Sequence, residues 1–167
     1  MIALEHGIVW EADVVLMQEQ YVDRDGHNIS HPGYRLIRGG RTMTAIRKDT
    51  HQEFSEVDKR GEGDLQVFDI EYPLGRQTRL VNVYDQLRHE GGVRSQGRAE
   101  QTARWREIME QEKILLGGDW NAHSDRWDPS CPPKQDANFL ENLMDEYDLI
   151  DVTDGDATHP NTRNSET

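Results

Sequence analysis

Hydrophobic residues in this chain fall mostly in short clusters, and the spacing within each cluster separates strands from helices. Val14-Val15-Leu16-Met17 and Ile114-Leu115-Leu116 are unbroken apolar runs. With no polar alternation, each predicts a strand buried on both faces, as in a sheet covered on both sides. Tyr34–Arg38 and Thr42–Arg47 predict strands around the turn Gly39-Gly40. Leu65–Tyr72 and Arg79–Tyr84 predict two more, joined through Pro73–Thr78 as an antiparallel hairpin. Residues 48–64 read as a charged loop with a weak edge strand near Phe54–Val57. Ile2, Leu4, Ile8 and Val9 suit a short amphipathic helix over 2–11. Trp105, Ile108 and Met109 form the core stripe of a helix over 98–112. Phe139, Leu140, Leu143, Met144 and Tyr147 form that of a later helix, with Asp136 as its N-cap. Leu149–Val152 predicts a short strand; 23–33, 85–97 and 124–135 read as loops, and 153–167 as a polar tail. Strands interleaved with helices make this an α/β chain, with one domain over 1–152.

The chemistry gathers where apolar strands end. Ile114–Leu116 leads through two glycines to Asp119 and Asn121, and Val14–Met17 leads to Glu19. Sites in open α/β sheets form beyond the carboxyl ends of strands. If both strands are central and parallel, Glu19 and Asp119 emerge on one rim. Two carboxylates there suit magnesium, which is held by one or two carboxylates, waters and a substrate phosphate. The plainer readings are an Asp-x-Asn turn bonding its own backbone and a solvated loop at Glu19. Tyr84 closes the strand Leu80-Val-Asn-Val-Tyr84, where its phenol can bond a phosphate oxygen or serve as an amphipathic cap on the core. His27 and His31 have a zinc-like spacing but no partner ligands nearby, so they read as surface loop.

Composition narrows the partners. Nineteen basic against 32 acidic residues give a net charge of −13, a poor match for nucleic acid, so any DNA contact is weak or locally driven. A locally basic loop, 85–97, has Arg88, His89, Arg94 and Arg98 in or beside it and suits a phosphate contact or, more plainly, a solvated loop. Only 34% of residues are hydrophobic, yet four Trp and five Tyr argue against wholesale disorder. Cys131 is alone, which excludes an internal disulfide and fits a reducing compartment, nucleus or cytoplasm. No apolar stretch approaches membrane-spanning length, so no membrane role is expected.

Glu19 after an apolar strand, then Leu80–Tyr84, then Gly117-Gly-Asp-Trp-Asn-Ala-His-Ser124, resemble in that order the endonuclease/exonuclease/phosphatase superfamily with its deoxyribonuclease-I-like fold. The likeness is closest to the apurinic-type endonuclease domain of non-LTR retrotransposons, whose aspartate motif commonly reads Gly-Asp-Phe-Asn-Ala-His. Thr42–Asp49, the helix at Asp136 and Thr158-His159 are similar to that group too. The resemblance implies a four-layer α/β/β/α sandwich. It implies a Mg2+-dependent phosphodiesterase, with Mn2+ as a substitute, that nicks DNA beside a reverse transcriptase domain in a longer polyprotein. Glu19 then matches the metal-binding glutamate, Asp119 the aspartate that orients the attacking water and shares the metal, Asn121 the phosphate-holding asparagine, and Tyr84 the active-site tyrosine. His123 belongs to the motif without a catalytic role.

The departures shape the expectation. The family's first strand, with its catalytic asparagine, has no counterpart here. Asp85-Gln86-Leu87 replaces the usual proline after the tyrosine, and the late Ser-x-Ile-Asp and Ser-Asp-His motifs do not occur. The expectation is an incomplete domain, lacking the first and C-terminal strands, with an exposed sheet edge and little or no activity alone. Two other functions stay open: a phosphoesterase of the same superfamily acting on a small phosphate ester, and a non-catalytic remnant or binding module.

Overall fold

The structure, a computed structural model, describes residues 12–19, 30–57, 64–84, 104–122, 124–127 and 137–152. The chain divides into two compact units, Met1–Trp120 and Asn121–Thr167. Among the described residues the first unit holds seven strands in two sheets. The first sheet has the order β1-β3-β2, from β1 (Val14–Gln18), β2 (Tyr34–Arg38) and β3 (Thr42–Arg47), all antiparallel. The second has the order β4-β5-β6-β7, from β4 (Glu53–Glu56), β5 (Leu65–Tyr72), β6 (Arg76–Tyr84) and β7 (Ile114–Asp119). β4, β5 and β6 run antiparallel, while β7 lies parallel to β6. The weak edge strand expected near Phe54–Val57 is β4. The hairpin is tighter than Pro73–Thr78 suggests: Tyr72 pairs with Arg76, and the chain reverses over 73–75.

The two sheets pack face to face, and strand parity decides what each side chain meets. On β6, Leu80, Asn82 and Tyr84 face the first sheet, while Arg79, Val81 and Val83 face the other way. Leu80 joins Phe68 and Ile70 in a core cluster that receives Val14 and Leu16 from β1 and Ile37 from β2. On the far side of the first sheet, Tyr34 and Ala45 pack with Val15, Met17 and Leu36. Residues 104–109 form helix α1, with Trp105, Ile108 and Met109 buried as its stripe predicts. Arg79 ties α1 to the outer face of the second sheet. Its guanidinium forks onto Asp69 at 2.8 and 3.0 Å and donates to the carbonyls of Glu107 and Ile108, both at 3.1 Å. Those carbonyls lie at the end of α1, where backbone acceptors lack intrahelical partners.

Two strand expectations are corrected. β7 is not buried on both faces: Leu115 is 51% exposed, because β7 pairs only with β6 among the described residues and so ends the sheet. β1 is likewise an outer strand, half-buried throughout, and lies in the sheet facing β7 rather than beside it. Val14 and Leu16 of β1 are apolar because the second sheet covers them, not because the strand sits mid-sheet.

The second unit contains helix α2 (Asn138–Glu146), which buries Leu143 and Met144. Ala137 holds the N-cap position without a side-chain bond, and Asp136 lies outside the described residues. Ser124, fully buried, ties the loop to the helix: its hydroxyl donates to Glu141 and accepts the Arg126 N–H at 3.1 Å. Leu149–Val152 is not a strand. Ile150 and Val152 stand 81% and 83% exposed, and no ladder forms there among the described residues. The segments 2–11, 85–98 and 153–167, with His27, lie outside the described residues. His31 is not surface loop: it is buried, accepts the Gly33 N–H at 3.1 Å and packs edge-on to Tyr34.

Between the sheets runs a buried polar seam. Asn82, wholly inaccessible, accepts a 2.7 Å bond from the Gln18 amide. Its own amide N–H groups are shared among Met43 O at 3.1 Å, Thr44 Oγ1 at 3.2 Å and Gln66 Oε1 at 3.4 Å. Thr44 donates to Gln66 at 3.0 Å, and Gln66 donates to Ile37 O at 3.1 Å. Removing one member strands the others in a dry interior. Asn82→Leu is therefore expected to cost about 2–4 kcal/mol, read as a lower urea midpoint at unchanged slope.

Candidate functional site

Three of the side chains singled out from the sequence meet at the rim where β1, β6 and β7 end. β6 and β7 are in parallel register with Tyr84 opposite Asp119, Asn82 opposite Gly117 and Leu80 opposite Leu115. Parity then sets Asp119 and Tyr84 on the same face, the one turned toward β1. The Tyr84 hydroxyl donates to the Glu19 carboxylate. Glu19 is exposed, Asp119 half-buried, and Tyr84 buried at 5% exposure.

Glu19 reaches Tyr84 through an unusual backbone. Val14, Leu16 and Gln18 face the second sheet, so continued alternation would send Glu19 to the opposite face with Val15 and Met17. Instead Glu19 adopts φ +49°. This left-handed conformation costs a non-glycine residue about 1–2 kcal/mol. The Glu19 N–H donates to Arg41 O at 2.8 Å, which pins the turn to the start of β3. Asn121, at φ +47°, likewise leaves the extended region just after β7, as asparagine does readily. It belongs to the second unit, so the first unit's rim gathers Glu19, Tyr84 and Asp119.

The two glycines of β7 make the approach possible. A Cβ on Gly117 would lie 2.5 Å from Leu16 Cδ1, so the missing side chain is what lets β1 close over β7. A Cβ on Gly118 would lie 2.0 Å from Val83 O, with φ at +146°.

Two neighbours complete the rim. The Arg41 guanidinium lies 4.5 Å from the centroid of the Tyr84 ring, and it forks onto Asp64, with Nε to Oδ1 at 2.8 Å. The Asp64 carbonyl accepts the Tyr84 N–H at 2.8 Å. The bond to Glu19 raises the Tyr84 pKa above the ordinary tyrosine value; burial and the charge of Glu19 add to this, Arg41 opposes it, and Asp119 adds a little more. Tyr84 is thus a neutral donor at neutral pH. The bond to Asp64 likewise raises Arg41. Neither Arg41 nor Asp64 was picked out from the sequence. A signal existed: Arg35, Arg38, Arg41, Arg47 and Lys48 fall between Pro32 and Lys48 without one acidic residue, in a chain of net charge −13.

Among the described residues no group of three or more His, Cys, Asp or Glu is placed to hold a metal ion. Glu19 and Asp119, both carboxylates bordering Tyr84, are a donor set of the size magnesium uses when waters and a phosphate fill the remaining positions.

No protein-family model matches the chain, and no curated protein sequence matches it. Among solved structures, the chain is similar to the endonuclease domain of TRAS1, a telomere-specific non-LTR retrotransposon. The TM-score is 0.59 at 20% identity, over 81% of this chain and 60% of that one. The chain thus spans about three-fifths of the length of that solved domain.

The glycines give a paired test. Gly118→Ala is expected to cost at least about 3 kcal/mol, because the added methyl meets backbone. Gly117→Ala is expected to cost about 1 kcal/mol, because it meets the flexible end of Leu16. Urea unfolding of both variants checks the ranking.

With two facing sheets, α1 over the outer face of the second, and the likeness to that endonuclease domain, the chain has the α/β fold of the deoxyribonuclease-I-like type.

Proposed function

We propose that this chain is a nuclease domain, a Mg2+-dependent phosphodiesterase that nicks DNA at a low rate. The observation that carries the reading is the meeting of Glu19, Tyr84 and Asp119 at one rim of a fold shared with an endonuclease domain. Two carboxylates fit magnesium, with Mn2+ as a substitute; bound there, the ion would supply positive charge to offset that building on the phosphate and its leaving oxygen.

The chain's own residues do the rest. Asp119 orients the attacking water and accepts its proton. The neutral Tyr84 phenol donates its hydrogen bond to Glu19 and so holds in direction a carboxylate that would hold the ion. Asn121, two residues beyond Asp119, supplies an amide to hold the scissile phosphate. Such fixed donors and charges stabilise the transition state without reorganising. The partner is DNA, bound weakly by a chain of net charge −13, in a polyprotein that also carries a reverse transcriptase. Nucleus or cytoplasm is the proposed compartment; no helix among the described residues is long and apolar enough to cross a membrane.

The test is relaxation of supercoiled plasmid with and without Mg2+. Slow conversion to nicked circle is expected, with Mn2+ replacing Mg2+ and chelation abolishing it. Asp119→Ala is expected to lower the rate by about 10²–10³-fold, and Glu19→Gln to raise the Mg2+ concentration required. Equal nicking by Asp119→Ala would remove the assignment. Hydrolysis of a small phosphate ester by a chain that leaves plasmid intact would transfer the same residues to a small-molecule phosphoesterase.

A further inference from the structure

The site carries a cation that the nuclease reading does not use. Arg41 starts the turn into β3, and its guanidinium is held on two sides. It forks onto Asp64 through Nε at 2.8 Å and through a second N–H, and its Cζ lies over the Tyr84 ring, 4.5 Å from the centroid. Main-chain bonds run alongside: Glu19 N–H to Arg41 O, and Tyr84 N–H to Asp64 O, each 2.8 Å. The Tyr84 hydroxyl then returns to Glu19. The result is a closed circuit, Arg41 to Glu19 to Tyr84 to Arg41, braced at two points by Asp64.

We propose that Arg41 is a positioning residue, clamped by Asp64, that fixes the Tyr84 ring and through it the Glu19 carboxylate in the arrangement the chemistry needs. Three features argue for this role. Arginine presents a rigid planar fork that pairs two-pronged with a carboxylate and stacks on an aromatic face, whereas lysine offers only a point charge. Glu19 is exposed and in a strained conformation, so without an external restraint its carboxylate has no reason to keep one direction. And among the described residues Arg41 sets a cation against a rim where Glu19, Asp64 and Asp119 border Tyr84. Its charge favours holding these groups together. Groups that orient a reacting side chain commonly change activity by about 10–100-fold when removed.

The rate consequence rests on the nuclease reading; the positional consequence does not, and the experiment separates them. Arg41→Met, Arg41→Lys and Asp64→Asn are compared with the parent chain. Asp64→Asn keeps the size of the side chain and weakens only the fork, so the test survives if an Arg41 variant fails to fold. In protein labelled with ¹³C-tyrosine, the Tyr84 ring signals are identified by their loss in Tyr84→Phe. A single sharp set is expected for the parent, and a broadened or doubled set for Arg41→Met and Asp64→Asn. Unchanged Tyr84 signals in both would overturn the proposal whether or not the chain cuts DNA. In the nicking assay kcat is expected to fall about tenfold or more, with KM within a factor of about two and little rescue by Arg41→Lys. A raised KM at unchanged kcat would make Arg41 a substrate contact, and a full rate in Arg41→Lys would show that charge alone suffices; either result overturns the positioning role. Absence of nicking by the parent chain, with the Tyr84 signals responding as expected, would sink the nuclease reading and leave the clamp standing.

Discussion

The amide of Asn82 is the constraint on which the rest of this structure depends. An asparagine with no solvent access, near the end of an inner strand, must satisfy its donors and acceptor from the facing sheet and the strand beside it. It does so with Gln18 on β1, Met43 and Thr44 on β3 and Gln66 on β5. Apolar packing of Leu16 and Val14 on Leu80 and Phe68 is non-directional and would tolerate a slide of one sheet over the other. Hydrogen bonds do not tolerate it. The seam therefore fixes the register between sheets, and it does so at Gln18 and Asn82, one residue before Glu19 and two before Tyr84. The rim inherits its geometry from the seam.

How much of this was legible in the sequence follows from which physics each part obeys. Strands β1 to β7 were readable because local patterning and turn residues dominate them, and Tyr34–Arg38, Thr42–Arg47 and Leu65–Tyr72 occupy the predicted positions. The site's members could be nominated because each ends an apolar strand. Sheet membership was not readable: an apolar run suits a central strand and also an outer one covered on one face, so the expectation of two central, parallel strands fails for β1 and β7, which end different sheets among the described residues. Leu149–Val152 misled for a related reason, since alternation without a neighbouring strand leaves Ile150 and Val152 in solvent. Asn82 was visible only as a polar letter in an apolar strand, and Arg41 only as part of a basic run, because both act through partners 16 to 64 and 23 to 43 positions away, respectively.

Backbone strain marks the end of β1. Glu19 and Asn121, each just past the end of a strand, are two of the four described non-glycine residues at positive φ; Leu74 and Asp148, at reversals of the chain, are the others. A strained conformation persists only where the surrounding contacts over-determine it. For Glu19 that contact is double: the N–H bond to Arg41 and the side-chain bond from Tyr84. The stability of the rim is thus drawn from the groups that define it, and loosening one loosens the direction of another.

On the proposed nuclease reading an acidic chain handles phosphate, and distance resolves the apparent contradiction. Charges beyond about 8–10 Å are largely screened at physiological salt, so the net −13 is mainly a statement about the surface at large. What a phosphate meets is local: two carboxylates flanking a phenol, with one guanidinium against the phenol's ring. Carboxylates repel phosphate by themselves, and the guanidinium is engaged by Asp64. On the proposed nuclease reading such a rim would accept phosphate only once a divalent ion has offset the two carboxylate charges, which links ion binding to substrate binding. On that reading the acidity that would weaken general affinity for DNA would also keep the rim from holding an anion before the ion is in place.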